Sequence, residues 1–323
     1  MKVVALVVTY DRRQLLTGCL EGVFGQTRPV DHLFIVDNAS TDGTGELLRE
    51  GGYVDRGDVT YVRLDENRGS SGGFAEGVRL AREPESDWLW LMDDDSSPTP
   101  DVLERLLAAP PAADPRTVAL CPKVVYADGS LDLNQRGDFR RRLRPLPPSA
   151  YVEGEHRELG FMSFVGTVVR TGAARAVDPP KAEFFVWGDD LEYSLRLRRQ
   201  GAIRLVPEAV MVHRRVSQSH MNRRSRFWNA VLPVKTFPTP LERFWQNLCG
   251  LRNYIWMKRE YEHQTAISAA GTTAQFVLKH LLYDDRPLKR IPWILRFARD
   301  GRRGRFRNIP PPRWAEMVRR GEL

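Results

Sequence analysis

The sequence predicts an α/β protein: a mainly parallel sheet with helices on both faces, followed by a C-terminal helical region. Three observations carry that reading. Short apolar runs alternate with helix-periodic stretches as far as His213, the pattern of strands joined by right-handed crossovers. Acidic, hydroxyl and amide residues collect directly after those runs, where ligands sit in open parallel sheets. The charge is divided, with 27 Lys/Arg against 33 Asp/Glu up to residue 214 and 22 against 8 beyond it. A domain of residues 1–215 and a basic region of residues 216–323 are therefore expected, facing different partners.

Val3–Val8 is the continuous apolar run of a buried parallel strand, and Gln14–Phe24 carries Leu15, Leu16, Cys19, Leu20, Val23 and Phe24 at helical spacing. Leu33–Val36 is a second strand, ending in the polar turn Asp37-Asn-Ala-Ser-Thr-Asp-Gly-Thr44 before Glu46–Arg49. Thr60–Leu64 is the third, followed by Asn67-Arg-Gly-Ser-Ser-Gly-Gly73 and a helix to Arg82. Trp88–Met92 is the fourth and runs into Asp93-Asp94-Asp95. Thr99 and Pro100 read as N-cap and first-turn proline of a helix over Asp101–Leu107.

After Val118–Val125 the periodicity loosens through Gly129–Ala150, which reads as a surface loop or irregular strands. Phe161–Val169 is apolar. Phe184–Trp187 leads to Gly188-Asp189-Asp190 and a helix Leu191–Gln200 stopped by Gly201. Ile203–Val206 and Val210–His213 read as closing strands. Beyond a polar, basic segment at 217–225, Leu241–Arg259, Thr265–Leu282 and Pro292–Arg299 read as amphipathic helices, and the Arg- and Pro-rich tail from Gly301 as extended chain.

A length of 323 residues with 42% hydrophobic and 28% charged side chains describes a globular chain with room for two domains. Cys19, Cys121 and Cys249 are far apart and form no CxxC or Cys/His pattern, which predicts a reducing cytosol and no structural zinc. Thr9–Arg13 interrupts the N-terminal apolar run too soon for a signal peptide, and no stretch is long enough to span a membrane. A cytoplasmic protein, or one peripheral at the inner face of the plasma membrane, is the expectation.

Three adjacent carboxylates at a strand end raise one another's pKa unless a cation or strong donors neutralise them, and hard oxygen ligands select Mg²⁺ or Mn²⁺. A helix cap is the plainer account, but it explains Thr99 and Asp101 and not the triplet. Asp37, directly after a strand, suits either the imide N–H of a pyrimidine base or an Asx turn. Gly69, Gly72, Gly73 and Gly77 permit close backbone approach beside a helix N-terminus that favours an anion, although they make neither GxGxxG nor a P-loop. Asp189 and Asp190, with Glu192 a turn further on, suit a general base kept ionised by the helix dipole, or acidic capping alone. His213, ending an apolar strand, is a ligand or a core histidine. No Ser/His/Asp or reactive Cys/His pattern is apparent, which is consistent with one displacement and no covalent intermediate.

Together, Val7-Val-Thr-Tyr-Asp-Arg12, Val36-Asp-Asn-Ala-Ser-Thr-Asp-Gly43, Asp93–Asp95 and Trp187-Gly-Asp-Asp-Leu-Glu-Tyr-Ser-Leu-Arg196, ending at His213, resemble the inverting, family 2 nucleotide-sugar glycosyltransferases of GT-A fold, over roughly residues 1–215. Asn67–Phe74 and the Trp-x-Asp-Asp-x-Glu-Tyr pattern look most like the galactofuranosyltransferases that build cell-wall galactan. The resemblance implies metal-dependent, inverting transfer of galactofuranose from UDP-galactofuranose to a hydroxyl of a glycolipid or polysaccharide acceptor in cell-envelope glycan synthesis. It implies that Thr9, Asp11 and Asp37 lie at the uridine, and that Asn67, Gly72, Gly73, Asp93 and Asp94 lie along the nucleotide. Asp95 and His213, with Asp93, would ligate Mn²⁺ or Mg²⁺ on the diphosphate. Asp190 would be the base, and Trp187 and Asp189 would meet the acceptor. Asp11 stands where many relatives carry Asn, and Gly188 separates Trp187 from the acid pair, so the choice of Asp190 rests on the following Leu-Glu-Tyr.

Within this class the alternative donor is dTDP-rhamnose. A basic nucleic-acid-binding protein is the alternative outside it, suggested by the net charge of +8 and the Arg-rich tail. It leaves Asp93–Asp95, Asp190 and His213 idle, so no nucleic acid is expected. Trp228, Phe244, Trp245, Trp256 and Trp293, interleaved with arginines, suit an anionic lipid surface and a polyprenyl diphosphate acceptor, or the core of the terminal helices.

Overall fold

The computed structural model describes residues 1–140, 142–214, 222–232 and 236–322, which fall into two compact units. One comprises Met1–Ala182 and Asp189–Arg215, the other Glu183–Gly188 and Val216–Leu323.

The first half of unit one runs β1 (Val3–Thr9), α1 (Arg13–Phe24), β2 (His32–Asp37), α2 (Thr44–Glu50), β3 (Val59–Arg63), α3 (Gly69–Ala81), β4 (Trp88–Asp93), β5 (Ser96–Pro98) and α4 (Val102–Ala108). It continues through β6 (Thr117–Tyr126), β7 (Arg136–Arg140), β8 (Arg142–Pro145), β9 (Glu158–Leu159), β10 (Phe161–Met162), β11 (Thr167–Arg170), α5 (Thr171–Arg175), α6 (Asp189–Leu197) and β12 (Ala202–His213). Among the described residues nine strands form one sheet in the order β3-β2-β1-β4-β11-β6-β12-β5, with β9 beside β12. β3, β2, β1 and β4 are parallel, as are β6 and β12, while β11 runs antiparallel between the two groups.

Alternation along the strands fills both faces. Ala5, Val7, Trp88, Trp90 and Met92 pack with Leu16, Leu20, Leu103 and Leu106 on one side. Val4, Leu6, Val8, Leu89 and Leu91 meet Phe74, Val78, Tyr193 and Leu197 on the other. The register places Thr9 beside Asp37 and Val8 beside Asp93, so the carboxyl ends of β1, β2 and β4 form one rim. β5 returns antiparallel to β12 with Ser96 opposite His213, which brings the end of β12 to the same rim.

Several expectations need correction. The two closing strands are one, β12, with a register shift between Val206 and Val210. Thr99 does not cap α4: Asp101 holds that position, and the Thr99 hydroxyl donates to the Val210 carbonyl at 2.8 Å, tying the helix start to the sheet. Of the two readings of 129–150, loop or irregular strands, the strands hold: the segment contains β7 and β8, which join β10 in a second, three-stranded sheet. Gly73 and Gly77 are packing positions: a Cβ at Gly73 would lie 2.6 Å from Val8, and one at Gly77 2.5 Å from Leu6, so they seat α3 on β1.

The second unit is helical, with α7 (Arg223–Val231), α8 (Phe244–Glu262), α9 (Ala266–Tyr283), α10 (Pro287–Arg303) and α11 (Pro311–Arg319). Leu241, Phe244, Leu248, Ile255, Ile294, Phe297 and Trp314 make its core. The tail is not extended after Gly301, because α10 continues to Arg303 and α11 buries Trp314. Of the basic 217–225 segment, residues 217–221 lie outside the described residues. Phe244 is core, Trp245 packs on Phe185, Trp256 on Phe184 and Phe306, and Trp293 on Trp314, so these aromatics hold the unit together. The exposed apolar side chains are others, among them Phe227, Ile267, Leu278, Leu288 and Leu295. No helix of the described residues is long and apolar enough to cross a membrane.

The seating of α3 gives a direct test. Gly77→Val should cost about 2–3 kcal/mol of unfolding free energy by chemical denaturation, the scale of overpacking a buried contact. An unchanged midpoint would contradict the close helix–sheet contact.

Candidate active site

The rim is stitched together by side chains. After β1, the Asp11 amide donates to the Ser40 hydroxyl (3.0 Å), and the Asp11 carboxylate accepts from the Thr41 amide (2.6 Å). After β2, Asn38 donates to the Asn67 side chain (3.0 Å) and the Gly69 carbonyl (2.9 Å) and accepts from the Arg68 amide (2.9 Å). The loops after β1, β2 and β3 are thereby fixed as one wall. Asp11 and Ala39 both have positive φ, 49° and 65°, in the loops that form it.

Thr9 and Asp37 are 1% and 0% exposed and turn inward. The Thr9 hydroxyl donates to Asp94 at 2.9 Å. The Asp37 carboxylate accepts from the Ser40 amide (2.7 Å) and the Tyr61 hydroxyl (2.8 Å), an Asx turn with a tyrosine added. Burial, followed by that hydrogen bond, pushes the Tyr61 phenol well above its ordinary range, so it stays a donor. Asp11 and Asn67 keep part of their surface open to solvent. Gly72 and Gly73 are buried in the first turn of α3.

Asp94 and Asp95 occupy the link between β4 and β5. The Arg12 guanidinium donates to Asp94 (3.2 Å) and Asp95 (2.9 Å), and the Tyr10 amide also reaches Asp94 (3.3 Å). Burial raises the Asp94 carboxyl to about 6 even so, Arg12 working against it. Asp93 is half-buried, and among the described residues no donor lies within hydrogen-bond distance of its carboxylate. Burial and then the charges of Asp95 and Asp94 push it well above the usual carboxylate range. The cluster is short of positive charge.

His213 ends β12 with Nε2 3.4 Å from Asp95 and Nδ1 2.8 Å from Asp132. Burial disfavours its charge, but the hydrogen bonds to Asp132 and Asp95 outweigh that and raise the imidazole above its ordinary value. Among the described residues no three His, Cys, Asp or Glu side chains already converge as a metal cluster. Asp95 and His213 meet, and Asp93 feels both through charge, repelled by Asp95 and attracted by His213. Carboxylate oxygen and imidazole nitrogen are nevertheless donors that Mn²⁺ or Mg²⁺ uses, and the repulsion of Asp93 by Asp95 and Asp94 favours a cation, so the residues suit one.

Asp189 and Asp190 open α6, which Ser194 anchors by donating to the Met162 carbonyl at 3.1 Å and accepting from the Met162 amide at 3.2 Å. Asp190 accepts from the Leu191 amide at 2.7 Å. The dipole does not keep the pair in the ordinary carboxylate range: burial raises both, and the Asp189 charge raises Asp190 further. Arg136 is fully buried, donates to the carbonyls of Pro122 (3.1 Å), Gln135 (2.8 Å) and Val165 (2.7 Å), and interacts electrostatically with both Asp132 and Asp190. Trp187 belongs to the second unit. It has φ 64°, its carbonyl accepts from Asn253 (2.8 Å), its ring lies over Gly250, and it remains 42% exposed.

Arg12, Asn38, Asp132 and Arg136 carried no assignment from the sequence. Arg12 lay inside a quoted motif. Asp132 and Arg136 lay in a stretch whose polar spacing resembles a loop, and their burial is the only signal that separates them from one.

A family model described as Glycosyl transferase family 2 matches residues 4–177. The chain is 35% identical over 205 residues to the galactofuranosyltransferase GlfT1 of Mycolicibacterium smegmatis, covering 62% of this chain and 66% of that protein, just under two thirds of its length. The GlfT1 of Mycobacterium tuberculosis is 35% identical over 207 residues, covering 62% and 65%. Solved structures that share the fold include the following two. GalNAc-T7 with UDP, GalNAc and Mn²⁺ gives a TM-score of 0.59 at 15% identity over 80% of this chain and 48% of that one. The mannosyltransferase PcManGT from Pyrobaculum calidifontis, in complex with GDP-Man and Mn²⁺, gives 0.54 at 16% over 99% and 79%.

The charge imbalance predicts a stability change. A carboxyl whose folded pKa is raised destabilises the fold above its unfolded pKa, and the penalty grows with pH up to the folded value. Asp93→Asn should therefore raise the unfolding free energy of the ligand-free protein at neutral pH. The gain should fade toward a pH of about 4. Thermal unfolding across pH measures it, and a destabilised variant would show that Asp93 is well partnered.

Proposed function

The chain belongs to glycosyl transferase family 2 and has the GT-A fold, and on that premise we propose that it transfers galactofuranose from UDP-galactofuranose, with inversion, to a hydroxyl of a glycan acceptor. The observation that carries this is the acidic turn Asp93–Asp95 on the rim with the ends of β1, β2 and β12, beside the wall of loops. The likeness to GlfT1 supports the donor sugar.

In this mechanism Asp11 and Asn67 face the nucleotide, and Thr9 and Asp37 act through the loops they tie. Asp93, Asp95 and His213 would hold Mn²⁺ or Mg²⁺, and the two fold neighbours that carry Mn²⁺ with a nucleotide or nucleotide sugar support that assignment. A divalent cation, when bound, neutralises charge gathering on the departing diphosphate. Arg12 leaves Asp95 and is then free to meet a phosphate oxygen. Asp190 takes the proton from the acceptor hydroxyl as its oxygen bonds to the anomeric carbon and the bond to UDP breaks on the opposite face. Asp189, beside the base, meets the acceptor. In cell-envelope synthesis that acceptor is a glycolipid, polyprenyl diphosphate-linked, or a polysaccharide. The 22 Lys/Arg against 8 Asp/Glu beyond residue 214 support contact with such an anion or with an anionic membrane surface at the cytoplasmic face.

A thermal-shift panel of nucleotide sugars with and without Mn²⁺ tests donor and metal together. UDP-galactofuranose with Mn²⁺ should raise the midpoint, and stabilisation by dTDP-rhamnose alone would overturn the donor. Asp190→Asn should lower transfer by about 10²–10⁴-fold while UDP binding persists. Because the base must be ionised and its pKa is raised, kcat should increase with pH through an ionisation above the usual carboxylate range. Asp189→Asn removes the neighbouring charge and should move that limb to lower pH. Normal turnover by Asp190→Asn, or an unmoved limb, would refute the base assignment.

A further inference from the structure

β6 and β12 are parallel neighbours with Val125 opposite Val212 and Tyr126 opposite His213. After Tyr126 the chain turns back on itself: Tyr126 donates to the Ser130 carbonyl (2.8 Å), Val125 bridges Leu131, and the Asp132 amide donates to the Val124 carbonyl (2.9 Å). The turn therefore delivers Asp132 to the histidine at the end of β12.

Asp132 is 2% exposed and held from several sides. One carboxylate oxygen accepts from the Asn134 amide (3.1 Å) and side chain (3.2 Å), and the other from Gln135 (2.8 Å) and from His213 Nδ1 (2.8 Å). With these bonds and one from Tyr126, every hydrogen-bond partner named for the carboxylate is a donor, so its role is to accept. The Tyr126 ring lies nearly parallel to the imidazole, at 17° and 6.4 Å between centroids. A histidine whose Nδ1 proton is committed to a carboxylate can offer only Nε2 as a ligand, and Nε2 is the nitrogen that faces Asp95 at 3.4 Å.

We infer that Asp132 is a positioning residue for the metal site: it fixes the His213 tautomer and ring so that Nε2 is presented beside Asp95 to a divalent cation carrying a nucleoside diphosphate. This rests on the proposed metal–diphosphate function and adds to it a residue that does not itself touch the cation.

The experiment is titration of Mn²⁺ into the full chain in the presence of UDP, followed by the electron paramagnetic resonance signal of free Mn²⁺. Wild type should bind. Asp132→Ala should weaken Mn²⁺ by about 10–100-fold, the usual effect of removing a carboxylate behind a histidine ligand. Asp132→Asn retains the shape and an acceptor but not the charge, and should lose less. It also serves if the alanine variant does not fold, as judged by circular dichroism. In a His213→Ala background, Asp132→Asn should cost nothing further, because the effect runs through the imidazole. A purely structural Asp132 would lower the melting temperature of the folded variants and leave the Mn²⁺ affinity at the wild-type value, which overturns the inference while the metal site stands. Failure of wild type to bind Mn²⁺ with UDP would remove the metal site itself, and the inference with it.

Discussion

Asp93, Asp94 and Asp95 crowd three carboxylates into the turn between β4 and β5, and the loops that reach them answer that charge. Thr9 and Tyr10 donate to Asp94, Arg12 spans Asp94 and Asp95, and His213 approaches Asp95 from the far side of the sheet. These contacts tie the ends of β1, β4 and β12 together, yet they leave Asp93 without a donor among the described residues. A group so placed costs stability in the empty protein and favours whatever cation arrives, the usual bargain of a binding site. The fold makes this possible because buried strands hold the backbone rigid beneath the turn.

Much of this was legible in the sequence, and the reason is local. Continuous apolar runs at Val3–Val8, Leu33–Val36 and Trp88–Met92 have one stable use, as buried strands. The polar residues that follow them must then share a rim. His213 could be read the same way, since it ends such a run. Arg12, Asp132 and Arg136 could not, because the partner of a guanidinium or a buried carboxylate is set by register between distant strands. Asp132 meets His213 only because β6 and β12 pair with Tyr126 opposite His213. The close backbone approach that the glycines of α3 permit is in part an approach to the sheet: Gly73 lies against Val8 and Gly77 against Leu6, partners that only the tertiary packing reveals.

The helical unit was less legible. Its aromatics left a lipid surface and a helical core both open, and Phe244, Trp245, Trp256 and Trp293 pack within the unit; Trp314, Arg252 and Arg290 are fully buried as well, and Arg252 donates to the Phe184 carbonyl at 2.9 Å. Asn253 adds three more such bonds, to the carbonyls of Phe184, Val186 and Trp187, and these hold Phe185 and Trp187 at positive φ. Adjacent side chains of one helix thus support a strained backbone that periodicity cannot reveal. What remains outside is mixed in character, with Ile267, Leu278, Leu288 and Leu295 exposed in a strongly basic segment.

On the proposed function, the acidic turn and His213 form one cation site serving a nucleoside diphosphate. Anomalous diffraction from crystals of the protein with Mn²⁺ and UDP tests it most directly. A manganese peak is expected within coordination distance of Asp95 and His213, with the diphosphate beside it and Arg12 withdrawn from Asp95. A peak elsewhere, or UDP bound with Arg12 still on Asp95 and no manganese, would contradict it.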